Sequence, residues 1–130
     1  TVITINSSPH DWTTADSTGS SRVNAWSNGE ANDICPAGFS VPLESELKAE
    51  KASWATNNAS GAYGSNLKIP VAGDRHLSDG ALTSVGSIAL LWSRSANGTD
   101  EGRGFLVNSG SAYFISSDRA YGFSVRCIKD

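Results

Sequence analysis

Long apolar runs and clusters of basic residues are both missing from this sequence. No stretch approaches the roughly 20 consecutive apolar residues that a membrane-spanning helix requires, so we expect no membrane insertion. The ten Lys and Arg residues are spread along 130 positions, and the formal net charge is −3 at pH 7. Because nucleic-acid binding relies on clustered cations, we expect no nucleic-acid partner.

Methionine is absent altogether, so we expect that Thr1 is not a natural translation start. Neither a signal peptide nor a lipidation motif is recognisable. The length fits one domain, residues 1–130, and we interpret it as cut from a larger protein that carries any targeting signal. Low charged content, 18 %, together with 13 glycines indicates many turns and loops rather than long helices.

Signatures of catalysis are also lacking. The sequence has no G-x-S-x-G elbow, no P-loop and no dinucleotide-binding fingerprint, and its 13 Asp and Glu residues are scattered. The two histidines, His10 and His76, have no zinc-like spacing relative to the cysteines. We therefore do not expect an enzyme.

Only two cysteines are present, Cys35 and Cys127. An even count favours one disulfide, and two buried free thiols are the alternative. A disulfide would close a loop of about 90 residues, for which the chain-entropy account gives about 4–5 kcal/mol. It would also hold down a late strand that would otherwise fray.

One segment has a clear helical pattern, "SVPLESELKAEKASWATNN" at residues 40–58. Leu43, Leu47 and Trp54 share one face at helical spacing, which predicts that this face packs on a sheet. Pro42 suits the first turn, and the helix should end in "NNASG" at 57–61. Before it, we expect a strand at 1–5, then an irregular loop at 6–33 that contains Trp12 and Trp26.

The remainder of the chain reads as β-structure. Alternating or apolar segments bounded by turn residues predict strands, with a turn at Asp79-Gly80 and a polar loop at 97–104. The predicted strands are 66–73, 87–93, 104–108, 111–116 and 121–128.

Large apolar side chains alternate with charged ones between Leu90 and Tyr121. Aromatic and Arg enrichment is typical of binding hot spots, so this stretch is either core or an exposed ligand surface. Three residues of the 97–104 loop, Asn97, Asp100 and Glu101, offer the hard oxygen donors that suit Ca²⁺; a solvated polar loop is the alternative. Calcium is the only cofactor that the sequence suggests.

Several motifs occur in the order in which they occur in a bacterial family. They are "CPAGFSVPLESELKAEKASW", "LKIPVAGDR", "DGAL…VGS", "LLWSRS…GT" and "DRAYGFSVRCIKD", which together span roughly residues 32–130. The chain thereby resembles the Fibrobacter succinogenes major paralogous domain family. That family is similar to C-type-lectin-like proteins and to the variable ligand-binding proteins diversified by retroelements.

The resemblance implies an α+β, C-type-lectin-like domain with one main helix, a small twisted antiparallel sheet and long loops. It also implies a non-enzymatic, secreted or cell-surface ligand-binding module, an adhesin or receptor-recognition domain of a larger bacterial or phage protein. Its partner would be an extracellular protein, peptide or glycan. A glycan-active or protein-modifying enzyme on a related fold is the alternative.

The resemblance also assigns residues. Cys35 and Cys127 match the family's cysteine pair, and Trp92 matches its "YWSS" tryptophan, although Leu90 and Leu91 replace the aromatics before it. The calcium-sugar motifs of animal C-type lectins are absent. Together with the aromatic–charged pattern, the resemblance predicts a ligand-binding set. Its members are Leu90, Trp92, Arg94, Asp100, Glu101, Arg103, Phe105, Tyr113, Ile115, Ser117, Asp118 and Arg119.

Overall fold

The largest element of the fold is a three-stranded antiparallel sheet. The computed structural model describes residues 4–8, 10–11, 16, 18–98 and 100–130. In chain order the helices are α1 (Ser20–Ala25), α2 (Glu44–Ala52) and α3 (Ala59–Gly64). The strands are β1 (Phe39–Ser40), β2 (Asp74–Arg75), β3 (Leu82–Thr83), β4 (Ile88–Asn97), β5 (Glu101–Asn108), β6 (Ala112–Asp118) and β7 (Ile128–Lys129). The sheet has the order β4-β5-β6, and β1–β7 and β2–β3 form two further antiparallel pairs. The domain is α+β in organisation.

The register of the sheet determines which side chains share a face. Leu91 pairs with Phe105, and Phe105 pairs with Phe114. Trp92 and Ile115 both pair with Gly104. Because side chains alternate along a strand, the Leu91–Phe105–Phe114 row faces one side and the Trp92–Gly104–Ile115 row faces the other.

Helix α2 covers the first of these faces. Leu47 is fully buried, and the Trp54 ring lies 5.6 Å from the Phe105 ring. Phe105 in turn stacks on Phe114 at 4.6 Å. The predicted packing of Leu47 and Trp54 is confirmed, whereas Leu43 is the helix N-cap and only half-buried.

The ends of α2 differ from the prediction. The helix begins at Glu44, so Pro42 precedes it, and the Glu46 carboxylate accepts the Leu43 N–H at 2.7 Å. Helix α2 ends at Ala52. A separate helix, α3, follows in the region where the end of α2 was predicted. Asn58 caps α3 by accepting the Gly61 N–H. Gly61 is required because a Cβ there would lie 1.8 Å from the Thr56 carbonyl oxygen.

The segment 121–128 was predicted as one strand, and this was wrong. Ser124 exchanges hydrogen bonds with Leu90 and Trp92 of β4, while Gly122 exchanges hydrogen bonds with Arg75. Because successive residues bond to different parts of the chain, no continuous ladder forms before Ile128. Ser124 therefore lies along the edge of β4 opposite β5, while Gly122 lies beside Arg75 of β2.

The predicted disulfide is confirmed. Cys35 and Cys127 are bonded, with Cα atoms 5.8 Å apart. Beside this bridge, Phe39 pairs with Lys129, and the Ser40 hydroxyl donates to the Asp130 carboxylate at 2.6 Å. The bridge and the β1–β7 pair thus join two segments that lie about 90 residues apart.

Other predictions need correction in the N-terminal half and in two loops. The loop predicted at 6–33 contains α1, although Trp26 is half-buried as an anchoring ring would be. Thr4 and Ile5 are not in a strand, and the rest of that predicted strand and Trp12 lie outside the described residues. Residues 66–72 form no strand, and Lys68 has a positive φ of 51°.

The loop predicted at 97–104 is shorter than expected. Asn97 and Glu101 are paired residues of β4 and β5, so only 98–100 form the connection. The turn at Asp79-Gly80 is confirmed by the Gly80 N–H bond to the His76 carbonyl. Within the described ranges, no helix has the length and apolar character needed to cross a membrane.

Candidate functional site

A cavity of about 520 Å³ lies on the sheet face opposite α2. It is bounded by the second half of β4, by 119–125 and by α1 with Trp26. We call it the aromatic–arginine cavity. Its lining residues are Arg22, Ala25, Trp26, Arg75, His76, Trp92, Ser93, Arg94, Ser95, Ala96, Gly102, Arg119, Ala120, Tyr121, Gly122, Phe123 and Val125. Its volume is in the range of cavities that hold small ligands.

A connected group of rings forms one wall of this cavity. Trp92 and Phe123 stack at 4.3 Å with an interplanar angle of 27°. Tyr121 lies 5.8 Å from Phe123 and packs edge-on against His76 at 5.3 Å. The Trp92 indole N–H donates to the Tyr121 carbonyl at 3.3 Å. The rings therefore fix one another's positions before any ligand arrives.

Two glycines of β5 make room for the stacked rings. A Cβ on Gly102 would lie 2.8 Å from the Trp92 ring, and a Cβ on Gly104 would lie 3.0 Å from the Phe123 ring. The first distance is shorter than real Cβ contacts and the second is tighter than most of them, so side chains at these positions would push the rings away. The rings can lie flat on the sheet because β5 has no side chains there.

Four of the chain's six arginines line the cavity. Two of them are held from behind by one carboxylate, because Asp11 forms ion pairs with Arg22 at 2.9 Å and with Arg119 at 3.1 Å. The Asp11 and Arg119 side chains are only 4 % and 9 % exposed. This arrangement keeps the two guanidinium groups in fixed positions at the cavity wall.

Asp16 is hydrogen-bonded to the first turn of α1, the helix that carries Arg22. Burial raises the pKa of Asp16, but hydrogen bonds from the Arg22 and Ser21 backbone N–H groups outweigh it, so the pKa lies below its ordinary value. The Arg22 N–H donates to the Asp16 carboxylate at 3.0 Å. Asp16 therefore stays ionised and anchors the start of this short helix.

The other two arginines of the cavity have different contacts. Arg75 donates to the Gly80 carbonyl at 2.8 Å, and Arg94 donates to the Ser27 hydroxyl at 3.0 Å. Among the residues that the structure describes, no Asp or Glu lies within ion-pair distance of either. Both are held in place by neutral groups and keep their charge uncompensated.

His76 and Tyr121 form a polar pair in the cavity wall. His76 Nδ1 lies 2.8 Å from the Ser78 hydroxyl and 3.3 Å from the Ser78 backbone nitrogen. Its other ring nitrogen, Nε2, lies 3.4 Å from the Tyr121 hydroxyl. The Tyr121 hydroxyl can both donate and accept a hydrogen bond, so it is the polar group of this pair at the cavity wall.

The structure separates the predicted ligand-binding residues into several groups. Trp92, Arg94 and Arg119 line the aromatic–arginine cavity. Leu90 borders a second, smaller cavity of about 190 Å³. Phe105 is 0 % exposed and belongs to the core, so it supports the sheet and presents no surface to a ligand.

Residues of the outer strand β6 lie on both faces. Tyr113, Ile115 and Ser117 share the Trp92 face of the sheet by register, and Tyr113 is exposed. Asp118 pairs in register with Glu101 and lies 3.6 Å from His10. These residues lie beside the cavity and are not among those that line it.

Arg103 lies on the α2 face, away from the cavity. Its guanidinium donates twice to the Glu44 carboxylate of α2, at 2.6 and 3.1 Å, and once to the Ser116 hydroxyl. The hydrogen bonds from Arg103 lower the pKa of Glu44 to about 2, helped by Lys48. The same bonds raise the pKa of Arg103. This pair fastens α2 to the sheet.

The three residues predicted to bind calcium lie together at the β4–β5 turn. The Asn97 amide nitrogen donates to the Glu101 carboxylate at 2.8 Å, and Asp100 is exposed beside them. Within the described part of the chain, no three His, Cys, Asp or Glu side chains are close enough to share a metal ion. The calcium site stays a prediction.

Several cavity residues were not predicted from the sequence. They are Arg22, Trp26, Arg75, His76, Tyr121 and Phe123. The sequence contains one signal for this wall. The glycines at 102 and 104 lie two residues apart and therefore on one face of their strand, and the neighbouring strand carries an aromatic residue. Glycine in a strand marks close approach by another group.

Comparison with known proteins gives no relatives. No family model matches the sequence, and no curated protein or solved structure shows significant similarity to it.

Proposed function

We propose that this chain is a non-enzymatic, extracellular ligand-binding module with a C-type-lectin-like fold, carried by a larger bacterial or phage surface protein. The ligand, a protein, peptide or glycan, occupies the aromatic–arginine cavity. The observation that carries this proposal is the connected ring wall of Trp92, Phe123 and Tyr121 beside four arginines. Aromatic and Arg groups held rigidly in a concave site are typical of binding hot spots.

Two further observations support the proposal. The Cys35–Cys127 disulfide suits an oxidising, extracellular compartment, and because both cysteines are joined, neither thiol is available as a nucleophile in this form. The cavity walls are hydrogen-bonded and ion-paired within the chain, which lowers the ordering cost on binding.

The test is a glycan and peptide array probed with the purified domain, once with calcium and once with a chelator. The decisive variant is Phe123→Leu, which keeps apolar volume but removes the ring stacked on Trp92. Its matched control is Tyr63→Leu, because Tyr63 is an exposed ring that does not line the cavity. Thermal unfolding of all three proteins reports whether each variant is folded.

We expect the wild type and Tyr63→Leu to bind the same array features and Phe123→Leu to lose them. Equal binding by folded Phe123→Leu would place the site elsewhere. Loss of binding in chelator alone would support the Asn97–Asp100–Glu101 calcium site, and unchanged binding would argue against it.

A further inference from the structure

The charged residues around the aromatic–arginine cavity indicate which ligands it prefers. This inference rests on the function proposed above. The chain as a whole has a net charge of −3, yet four of its six arginines line one cavity. Of the residues that line it, none is Asp or Glu. Asp11 and Asp16 lie behind the wall and offset part of this charge. The cavity therefore attracts an anion in an otherwise acidic protein.

Arg75 and Arg94 are the groups best able to bind that anion. Their hydrogen-bond partners are a carbonyl and a hydroxyl, so an incoming carboxylate would not compete with a carboxylate of the protein. A guanidinium group presents a planar fork of donors that matches a carboxylate. The uncompensated charge favours an acid over a neutral ligand of the same shape.

The backbone of the neighbouring strand is not available to a ligand. The Trp92 N–H is bonded to Ser124, the Leu90 carbonyl accepts from Ser124, and the Arg94 N–H is bonded to Pro42. An extended peptide therefore cannot add to β4 at this edge, which is how many peptides bind to sheets. Recognition has to come from side chains, which favours a compact ligand over a strand.

The aromatic rings of the cavity wall indicate the chemistry of the rest of that ligand. Phe123 and Tyr121 offer flat apolar surface, and the Tyr121 hydroxyl is a polar group beside it that can donate or accept a hydrogen bond. A sugar ring has an apolar face and hydroxyl groups at its edge, so it uses both features. The cavity volume, about 520 Å³, admits a ligand of one or two such rings.

We propose that the cavity binds an acidic sugar, that is, a pyranose ring that carries a carboxylate. The ring packs on the wall that contains Phe123 and Tyr121, and the carboxylate pairs with the arginines, Arg75 and Arg94 foremost.

Nitrogen-15 NMR titration of the whole domain tests this with four probes of defined chemistry. Glucuronate has the ring and the carboxylate, glucose has only the ring, acetate has only the carboxylate, and N-acetylphenylalanine represents a peptide acid. We expect glucuronate to shift the amide resonances of 121–123 and to bind about tenfold or more tighter than glucose, since hydrogen bonds to charged groups contribute at least that factor. Acetate should bind more weakly than glucuronate.

The variants are Arg75→Gln and Arg94→Gln, with Arg126→Gln as the matched control. Arg126 is outside this cavity and donates to the Lys68 carbonyl. We expect each cavity variant to lose about tenfold in glucuronate affinity while its glucose affinity is unchanged, and Arg126→Gln to bind as the wild type does. Well-dispersed spectra establish that each variant is folded. If a glutamine variant is not folded, the corresponding lysine variant, Arg75→Lys or Arg94→Lys, replaces it in the experiment.

The outcomes separate this inference from the proposed function. Equal affinity for glucose and glucuronate, or folded arginine variants that bind glucuronate normally, would overturn the acidic-sugar proposal while leaving a binding cavity. Tighter binding of N-acetylphenylalanine than of glucuronate would assign the site to peptide acids and also overturn it. If no probe shifts 121–123 and Phe123→Leu still binds the array as the wild type does, both proposals fail.

Discussion

Glu44 is the residue whose ionisation contributes most clearly to folding. Its carboxylate accepts two hydrogen bonds from Arg103 and forms an ion pair with Lys48 at 2.8 Å. These partners lower the pKa of Glu44 from 4.5 to about 2. Because the folded state holds the carboxylate in its ionised form, the contribution to stability is fully present above the unfolded pKa and is lost as pH falls through the folded one.

We therefore expect Glu44→Gln to lower the free energy of unfolding by about 1–3 kcal/mol near neutral pH, the range for hydrogen bonds to charged groups. The deficit should shrink as pH falls from 4.5 towards about 2, since the wild-type carboxylate then becomes protonated. Urea denaturation at a series of pH values measures this. The control is Glu46→Gln, whose carboxylate accepts only the Leu43 N–H in the described contacts. A deficit that does not change with pH would contradict the assignment.

Gly102 has a steric role that a single methyl group can test. Its φ is not in the left-handed region, so Gly102→Ala changes space and not backbone conformation. The added Cβ would lie 2.8 Å from the Trp92 ring, and we expect a loss of about 1–3 kcal/mol from overpacking. A changed tryptophan emission spectrum should accompany the loss, because the Trp92 ring must move.

Gly64→Ala is the control for that substitution. Gly64 ends α3, and a Cβ there meets nothing within 4 Å. Alanine should be neutral or stabilise the protein by about 0.4–1 kcal/mol through the unfolded state. If both alanine variants had the same stability as the wild type, Trp92 would not be confined by Gly102.

Helix α2 depends on one fully buried side chain. Leu47 is 0 % exposed beneath the sheet, and we expect Leu47→Ala to cost about 2–5 kcal/mol. Ser45→Ala is the comparison, because Ser45 is exposed on the same helix and its change should lie within about 0.5 kcal/mol. Chemical denaturation measures the free energy of unfolding of both variants. If Leu47→Ala lost as little stability as Ser45→Ala, α2 would not pack as described.

The same element shows what a sequence can and cannot reveal. The position of α2 was predictable because Leu47 and Trp54 repeat at helical spacing over a long segment. Helices α1 and α3 were missed because each has only six residues, too few for a period, and because half of α3 is Gly or Ser. The strands β4 to β6 were predicted from short apolar runs bounded by turn residues, but β5 was predicted to begin three residues late because its first half is glycine-rich and polar.

At the scale of the whole molecule, the disulfide closes the longest loop. Cys35 and Cys127 are 92 residues apart, and the chain-entropy account gives about 4–5 kcal/mol for such a closure. We expect the double variant Cys35→Ser, Cys127→Ser to lose free energy of unfolding of that order. Adding reductant to the wild type under denaturing conditions should produce the same loss, and adding it to the double variant should change nothing. Equal stability of wild type and double variant would contradict this.

The cavity is also a property of the whole molecule, and this explains why the sequence did not predict it. Arg22, Arg75, Arg94 and Arg119 come from four separate segments, and nothing local links them. The stretch between Leu90 and Tyr121 was predicted as the binding surface because apolar and charged groups alternate there. The register then places Arg103 and Phe105 on the α2 face, which a linear pattern cannot distinguish from the cavity face without knowing which side is covered.

The position of the disulfide has a mechanical consequence. Cys127 lies between β7 and the cavity segment 121–126, and it is bonded to Cys35 beside β1. A tension applied at Lys129 therefore reaches a covalent cross-link before it reaches Tyr121 and Phe123. Without that bond, once the β1–β7 pair opens, the same pull would act on the few hydrogen bonds of Gly122 and Ser124 and would separate one wall of the cavity from the sheet. The oxidised domain can carry load along its chain while the aromatic–arginine cavity keeps its shape.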